Sequence, residues 1–377
     1  MPSLLGPSKP KPIGGPGVGL VHRKRPSIKK ILLIIFGIII SLIIGVAVSA
    51  VIWFNVQLTP LDKNSSLLVK VTVAPGSTSS QIGQQLEDQL IIRSATAFNI
   101  YIRLMHEKDI LQAGSYRLSS SESVDQIIEH FLLGTVDQFD ITFYPGATLV
   151  DNSDTPDNKK YDVTTVLKNV GYTEREIAKA LAGHYYSPLL FEGRPSTADL
   201  EGYIYGETYK LNTDATVEAI LTASLGEFEQ FVQDNNLVQA FANHGLSLYE
   251  GITLASIVQR EASTPDDQKQ VAQVFYSRLA IGMQLGSDVT YQYIADKTGV
   301  ARDTGLDSPY NTRRYTGLPP GPIAVPSASA LLAVASPAEG DYLYFLAGDD
   351  GLTYFARTLG EHEANIVDHC VVNCSTP

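Results

Sequence analysis

The sequence predicts an α+β protein: a single N-terminal transmembrane helix, a small α+β module, and a larger, mostly helical region with a loop-rich, hairpin-containing C-terminal part. Three observations carry this reading. An uncharged run spans Ile31 to Phe54, strand and helix patterns alternate between Leu67 and Gly134, and helical periodicity dominates up to about Leu279 before Gly and Pro clusters take over. The divisions are a basic tail (1–30), a membrane span (31–54), a stalk (55–66), the small module (67–150), the larger region (151–368) and a C-terminal tail (369–377).

The first residues, to about 22, are rich in Gly, Pro and Ser without an apolar period, as in a disordered tail. The net charge of −12 conceals an asymmetry: the first 60 residues carry seven basic and no acidic side chains, leaving 21 basic against 40 acidic residues beyond them, a balance of −19. So acidic a body excludes nucleic-acid binding by phosphate neutralisation. The 24 residues from Ile31 to Phe54 can cross a hydrocarbon core of roughly 30 Å as a helix. A cleaved signal at Val48-Ser49-Ala50 is the alternative, but the run exceeds the roughly 7–15 residues of a signal's apolar region. Arg23, Lys24, Arg25, Lys29 and Lys30 just before the span place the N-terminus in the cytoplasm and everything from about Asn55 outside the cell membrane.

In the module, Leu67 to Val73 is strand-like and Ala74-Pro75-Gly76 a turn. Ser79 to Leu90 places Ile82, Leu86 and Leu90 on one helical face, and Ala97 to Met105 reads as a second helix. Gly114 to Leu118 returns as a strand, and Ser123 to Leu133 is a helix closed by Gly134. The order is similar to that of small glycan-binding domains of the LysM type, with a spacer as the other reading.

After a polar linker, Asp151 to Tyr161, helices are predicted at Thr173 to Leu181 and Val217 to Val232. Near the end, Tyr342 to Ala347 and Leu352 to Phe355 flank Gly348-Asp349-Asp350-Gly351, a hairpin signal. In Leu254-Ala255-Ser256-Ile257-Val258-Gln259-Arg260-Glu261, steps of three and four put Glu261 on the apolar face of Leu254, Ile257 and Val258. Thr264-Pro265-Asp266-Asp267 starts a new helix, so Glu261 stands at a helix end where a cleft can open. Apolar walls raise a carboxyl pKa, the property a glycosidic general acid needs; an ion pair with Arg260 or Arg278 is the alternative.

That segment resembles the signature of the endolytic murein transglycosylase, or YceG-like, family. So do Leu200-Glu201-Gly202-Tyr203 with Glu207-Thr208-Tyr209, Ser308-Pro309-Tyr310-Asn311-Thr312, Gly317-Leu318-Pro319-Pro320-Gly321-Pro322-Ile323, and Tyr342-Leu343-Tyr344-Phe345, in the family's order over about Val71 to Asn365. The resemblance implies a membrane-anchored enzyme that cuts the bond between N-acetylmuramic acid and N-acetylglucosamine in nascent peptidoglycan strands, leaving 1,6-anhydro ends. It implies Glu261 as the catalytic residue, with Asp288, Thr290, Tyr293, Tyr310, Asn311 and Glu207 contacting substrate, and peptidoglycan synthases as possible partners. Three positions depart from the family: Gln259 where an acid is common, Thr353 where His is usual, and Glu363 where Asn usually follows His362.

Two rival readings remain open. A muramidase-type hydrolase would use Asp288 or Glu207 as a second carboxylate, and a non-catalytic scaffold would only bind cell wall. No cofactor is called for, and no metal motif occurs; Glu361-His362-Glu363 reads as a helix surface. Cys370 and Cys374 can form a local disulfide, remain thiols or join another chain.

Overall fold

The computed structural model describes residues 28–105, 111–133, 138–150 and 161–372. The N-terminal tail, the linker at 151–160 and Cys374 lie outside these residues, so the expectations placed on them are not addressed. The chain divides into two units, residues 1–56 and 57–377.

The first unit holds a helix, α1 (Ile28–Leu58), with a stretch from Leu32 to Leu58 of mean hydropathy 3.0, long and apolar enough to cross a membrane. The helix runs four residues beyond the expected end of the span, so the first residues assigned to the stalk are helical.

The second unit opens with β1 (Leu68–Val73), α2 (Ser79–Asp88), α3 (Ala95–Met105), β2 (Gly114–Ser119) and α4 (Val124–Leu133). Strands β1 and β2 pair antiparallel, with Val71 opposite Tyr116. Val71, Ile82, Leu86, Phe98, Tyr116 and Phe131 form the centre of a small apolar core. Helix α2 starts with a capping box between Thr78 and Gln81. It stops earlier than the periodicity suggests: Leu90 adopts φ 56 and is 71% exposed, so it terminates the helix and does not extend its buried face.

Strand β3 (Gln138–Thr142) begins a second, larger core. It is followed by α5 (Val163–Asn169), α6 (Glu174–Leu181), β4 (Thr208–Asn212), α7 (Val217–Asp234), α8 (Leu237–Asn243), α9 (Leu248–Glu261), α10 (Pro265–Ala280), α11 (Asp288–Thr298), α12 (Ala328–Ala335), β5 (Tyr344–Ala347), β6 (Thr353–Ala356) and α13 (Leu359–His369). Strand β3 pairs with β4 across a long sequence gap, Ile141 opposite Tyr209, and Phe139, Phe143 and Leu149 join the larger core. The break between the two apolar cores therefore falls before Phe139, earlier than residue 150. The region after Gly286 is loop-rich as expected, its described residues containing three helices and the hairpin of β5 and β6 between longer irregular stretches.

The two cores are bridged by Arg117 of β2. Its guanidinium lies between the rings of Phe139 and Tyr172, 4.2 and 4.3 Å from their centroids, and donates to the Val170 carbonyl. Helix α9 runs through the middle of the larger core, packed on α8, α10, α11 and α12, with every residue from Leu248 to Val258 buried except Glu250. At Gly251 an added Cβ would overlap the Phe241 ring, which is why α8 can approach so closely.

Candidate active site

Helix α9 starts with a Ser247–Glu250 capping box and ends at Glu261, where Ala262 turns into extended backbone. Thr264 then caps α10 with Pro265 at its first position, and Gln268 Nε2 donates to the Ala262 carbonyl at 3.0 Å, fixing the turn. Polar groups on the buried helix clamp the Pro-Pro-Gly segment. Tyr249 Oη donates to the Pro320 carbonyl at 2.9 Å, and Ser256 Oγ accepts from the Ile323 amide at 3.0 Å. Gly202, at φ +78, lies so close to Pro322 that a Cβ would overlap its ring, joining two motifs that are more than a hundred residues apart in sequence.

Glu261 opens onto a cleft of about 480 Å³ also lined by Arg278, Asp288, Arg313, Phe345 and His362. Burial raises its pKa above the ordinary carboxylate range; the Ser287 hydrogen bond opposes this, Asp288 adds to it, and Arg278 and Arg260 offset it in part. Ser287 Oγ donates to Glu261 Oε1 at 2.5 Å. Ser287 is also the N-cap residue of α11, yet it makes no side-chain cap bond to that helix. Forgoing such a cap typically costs about 0.5–2 kcal/mol. The hydroxyl is directed at the carboxylate instead.

Across the cleft, Asp288 is ion-paired with Arg313 and half exposed. Arg278 donates to the carbonyls of Leu343, at 2.6 Å, and Leu285, and its guanidinium lies 5.5 Å from the Tyr344 ring centroid. His362 stacks on the same Tyr344 ring, 5.3 Å between centroids at 24°, and burial, helped by Arg278, lowers its pKa. An imidazole held this way is neutral near pH 7.

The expected site residues divide into groups. Glu261 and Asp288 line one cleft. Thr290 is fully buried beneath it; its hydroxyl bonds the Ser287 carbonyl at 2.7 Å and Thr312 Oγ1 at 2.9 Å, tying two loops together. Asn311 is also fully buried and braces its own loop through Thr304 and Leu306. Tyr293 and Tyr310 meet at 5.4 Å between ring centroids, and Tyr293 faces a different cavity, described below. Glu207 is exposed beside β4 and absent from the Glu261 cleft. Gln259, the departure next to Glu261, accepts the Ser327 amide at 3.1 Å and so supports the start of α12. Thr353 pairs with Ala347 at the cleft's outer strand, and Glu363 is exposed. Ser287, Arg313 and the seat of His362 were missed in the sequence. Gly286-Ser287-Asp288 did carry a helix-start signal, though nothing local says where a capping hydroxyl will point.

Cys370 is disulfide-bonded, and its partner lies outside the described residues.

These features define a mixed helix-and-sheet protein with small two-stranded sheets, one N-terminal apolar helix, and a cleft centred on a single desolvated carboxylate at the end of a core helix. The chain belongs to the YceG-like family, whose model matches residues 71–368. It is 31% identical over 337 residues to an endolytic murein transglycosylase of Bacillus subtilis, covering 85% of this chain and 89% of that one. It is 30% identical over 341 residues to an endolytic murein transglycosylase of Streptococcus pneumoniae, covering 83% of this chain but 60% of that longer relative. The 2.6 Å crystal structure of a yceG-like protein from Listeria monocytogenes superimposes with a TM-score of 0.51 at 29% identity, covering 80% of this chain and 99% of that one.

Proposed function

We propose that the protein is a membrane-anchored endolytic transglycosylase that cuts peptidoglycan glycan strands, with Glu261 as its acid and then its base. The observation that carries this reading is the inequality of the two cleft carboxylates: Glu261 is desolvated with a raised pKa, whereas Asp288 is half exposed and ion-paired with Arg313. Protonated Glu261 donates to the oxygen linking N-acetylmuramic acid to N-acetylglucosamine as the bond from the anomeric carbon breaks. The sugar's 6-hydroxyl then attacks that carbon and returns its proton to Glu261, which restores the acid without consuming water. Between the two steps the carboxylate is stabilised by Ser287 and by the positive end of α11.

The likeness to curated transglycosylases supports the reaction class. Helix α1 serves as a single-pass anchor, its basic flank cytoplasmic and residues beyond about 58 outside the cell. The module around β1 and β2 takes a LysM-like part in holding glycan, the larger region performs the cut, and peptidoglycan synthases are the partners that such an activity would serve. Mass spectrometry of glycan treated with the purified protein tests the reading: anhydro ends support it, while reducing ends from a water-consuming cut support a hydrolase.

A hydrolase with Asp288 as its second carboxylate is the rival that the shared cleft allows. Asp288→Asn separates the two. A two-carboxylate hydrolase loses activity about as completely as it does with Glu261→Gln, and a single-acid enzyme keeps a measurable fraction.

A further inference from the structure

A second cavity, of about 330 Å³, opens on the other side of the same helix end. Tyr144, Tyr161, Arg260, Asp162, Asp296 and Lys297 are among its lining residues. One wall is pinned: the Gly146 amide donates to Val325 at 2.8 Å, the Val325 amide donates to Ala147 at 2.7 Å, and the Leu149 amide donates to Glu201 at 3.1 Å. Tyr144 and Tyr161 meet edge-on at 4.8 Å and leave apolar faces at the rim.

The charged groups lining this cavity have hydrogen-bond partners among the described residues, with one exception. Lys297 pairs with Asp199 at 2.7 Å and donates to Tyr293 at 2.8 Å. Asp296 takes two bonds from Arg302, at 2.8 and 2.5 Å, and Asp162 caps α5 through the Thr165 amide. Arg260 donates no hydrogen bond to any described residue; burial depresses its pKa, with Asp296, Glu201 and Glu261 opposing the shift and Arg302 adding to it. A desolvated guanidinium facing an open cavity is a fork of donors without an acceptor, the geometry that takes a carboxylate in two parallel bonds. Aromatic faces at the rim suit a sugar ring beside that anion. Arg260 and Glu261 are consecutive residues, so this cavity and the Glu261 cleft flank one helix end, although they share no lining residue.

We propose that this cavity is a carboxylate subsite for the acidic branch of the strand being cut, either the lactyl group on the muramyl sugar or the peptide attached to it. The assignment of that ligand rests on the transglycosylase reading. The site recognises the sugar that carries the anion and so sets the register of the strand over Glu261.

Binding to the full-length protein in detergent, carrying Glu261→Gln so that nothing is cleaved and the coupling of Arg260 to the acid is removed, tests the proposal. The ligands are glycan bearing peptide stems, the same glycan stripped by an amidase, stripped glycan with its lactyl carboxylates methyl-esterified, and a neutral chitooligosaccharide. Charged glycan should bind roughly tenfold or more tightly than the ester, and Arg260→Gln should erase that difference while leaving chitooligosaccharide affinity unchanged. Tighter binding of the stem-bearing form identifies the peptide carboxylate; equal or tighter binding of the stripped form identifies the lactyl group. Equal affinity of both charged glycans, stem-bearing and stripped, and of the esterified form overturns the proposal, whether or not the Arg260 variant folds. Absence of any cut by the protein with Glu261 intact would instead refute the reaction assigned above and leave the binding comparison to decide the subsite on its own.

Discussion

Ser287 caps nothing: its hydroxyl donates to Glu261 Oε1 at 2.5 Å, although it occupies the cap position of α11. The bond favours the ionised carboxylate and so works against the burial that raises the Glu261 pKa. Ser287→Ala should therefore raise that pKa further. The alkaline limb of the pH–rate profile, along which activity falls as the acid deprotonates, should move to higher pH, with a loss of rate from the weaker support of the carboxylate. An unmoved limb would show that Ser287 does not tune the acid.

Glu261→Gln keeps the shape and removes the transferable proton. Cleavage should fall by at least about 10²–10⁴. Thermal stability should hold or rise slightly, since a desolvated ionisable group is replaced by a neutral one. Near-normal output of anhydro ends from this variant, measured by mass spectrometry, would falsify the assignment.

Glu201 offers a test of buried charge away from the reacting cleft. Its carboxyl accepts from the Leu149 amide and from Tyr293 Oη, both at 3.1 Å, and burial raises its pKa from 4.5 to about 8. Because the folded value is raised, the stability it contributes is fully present below about 4.5 and is lost as pH climbs through about 8. Relative to Glu201→Gln, the wild-type protein should lose on the order of a few kcal/mol between pH 5 and pH 9. Melting curves at the two pH values should therefore diverge, and parallel curves would show that the carboxyl ionises without penalty.

Two glycines should respond in opposite directions. Gly202→Ala adds a Cβ at φ +78 against Pro322, so it should destabilise by at least about 2 kcal/mol and disturb the Pro-Pro-Gly segment. Gly226→Ala lies on an open face of α7 and should stabilise by about 0.5–1 kcal/mol. Thermal unfolding of the pair checks both. Similar melting temperatures would contradict the close approach of Gly202 to Pro322.

What was legible in the sequence follows from how local the cause is. The position of Glu261 at a helix end could be read because Thr264 and Pro265 start the next helix three residues later. The strands of the small module and the hairpin near the end could be read from alternation and turn residues. The pairing of β3 with β4 could not, since Gln138 and Asn212 are brought together only by the packing of the helices between them. The same limit applies to Thr290 and Asn311. Their residue types suit contact with a sugar, but both are spent on loop bonds, to Thr312 and to Thr304 and Leu306, whose partners are set by the fold. Glu201 appeared within a motif without a role, because its burial depends on Tyr293 and Leu149, both far from it in the chain.

The embedding of α9 makes the two walls of the cleft mechanically unequal. One wall is a helix enclosed by four others; the opposite wall is β5, β6 and α13, a layer whose helix has no buried residue. Amide hydrogens near Leu254 to Val258 should exchange with deuterium only when the whole unit unfolds, while those of α13 exchange through local opening. Any yielding of the cleft is thereby confined to its outer layer, and Glu261 keeps its place on the rigid side.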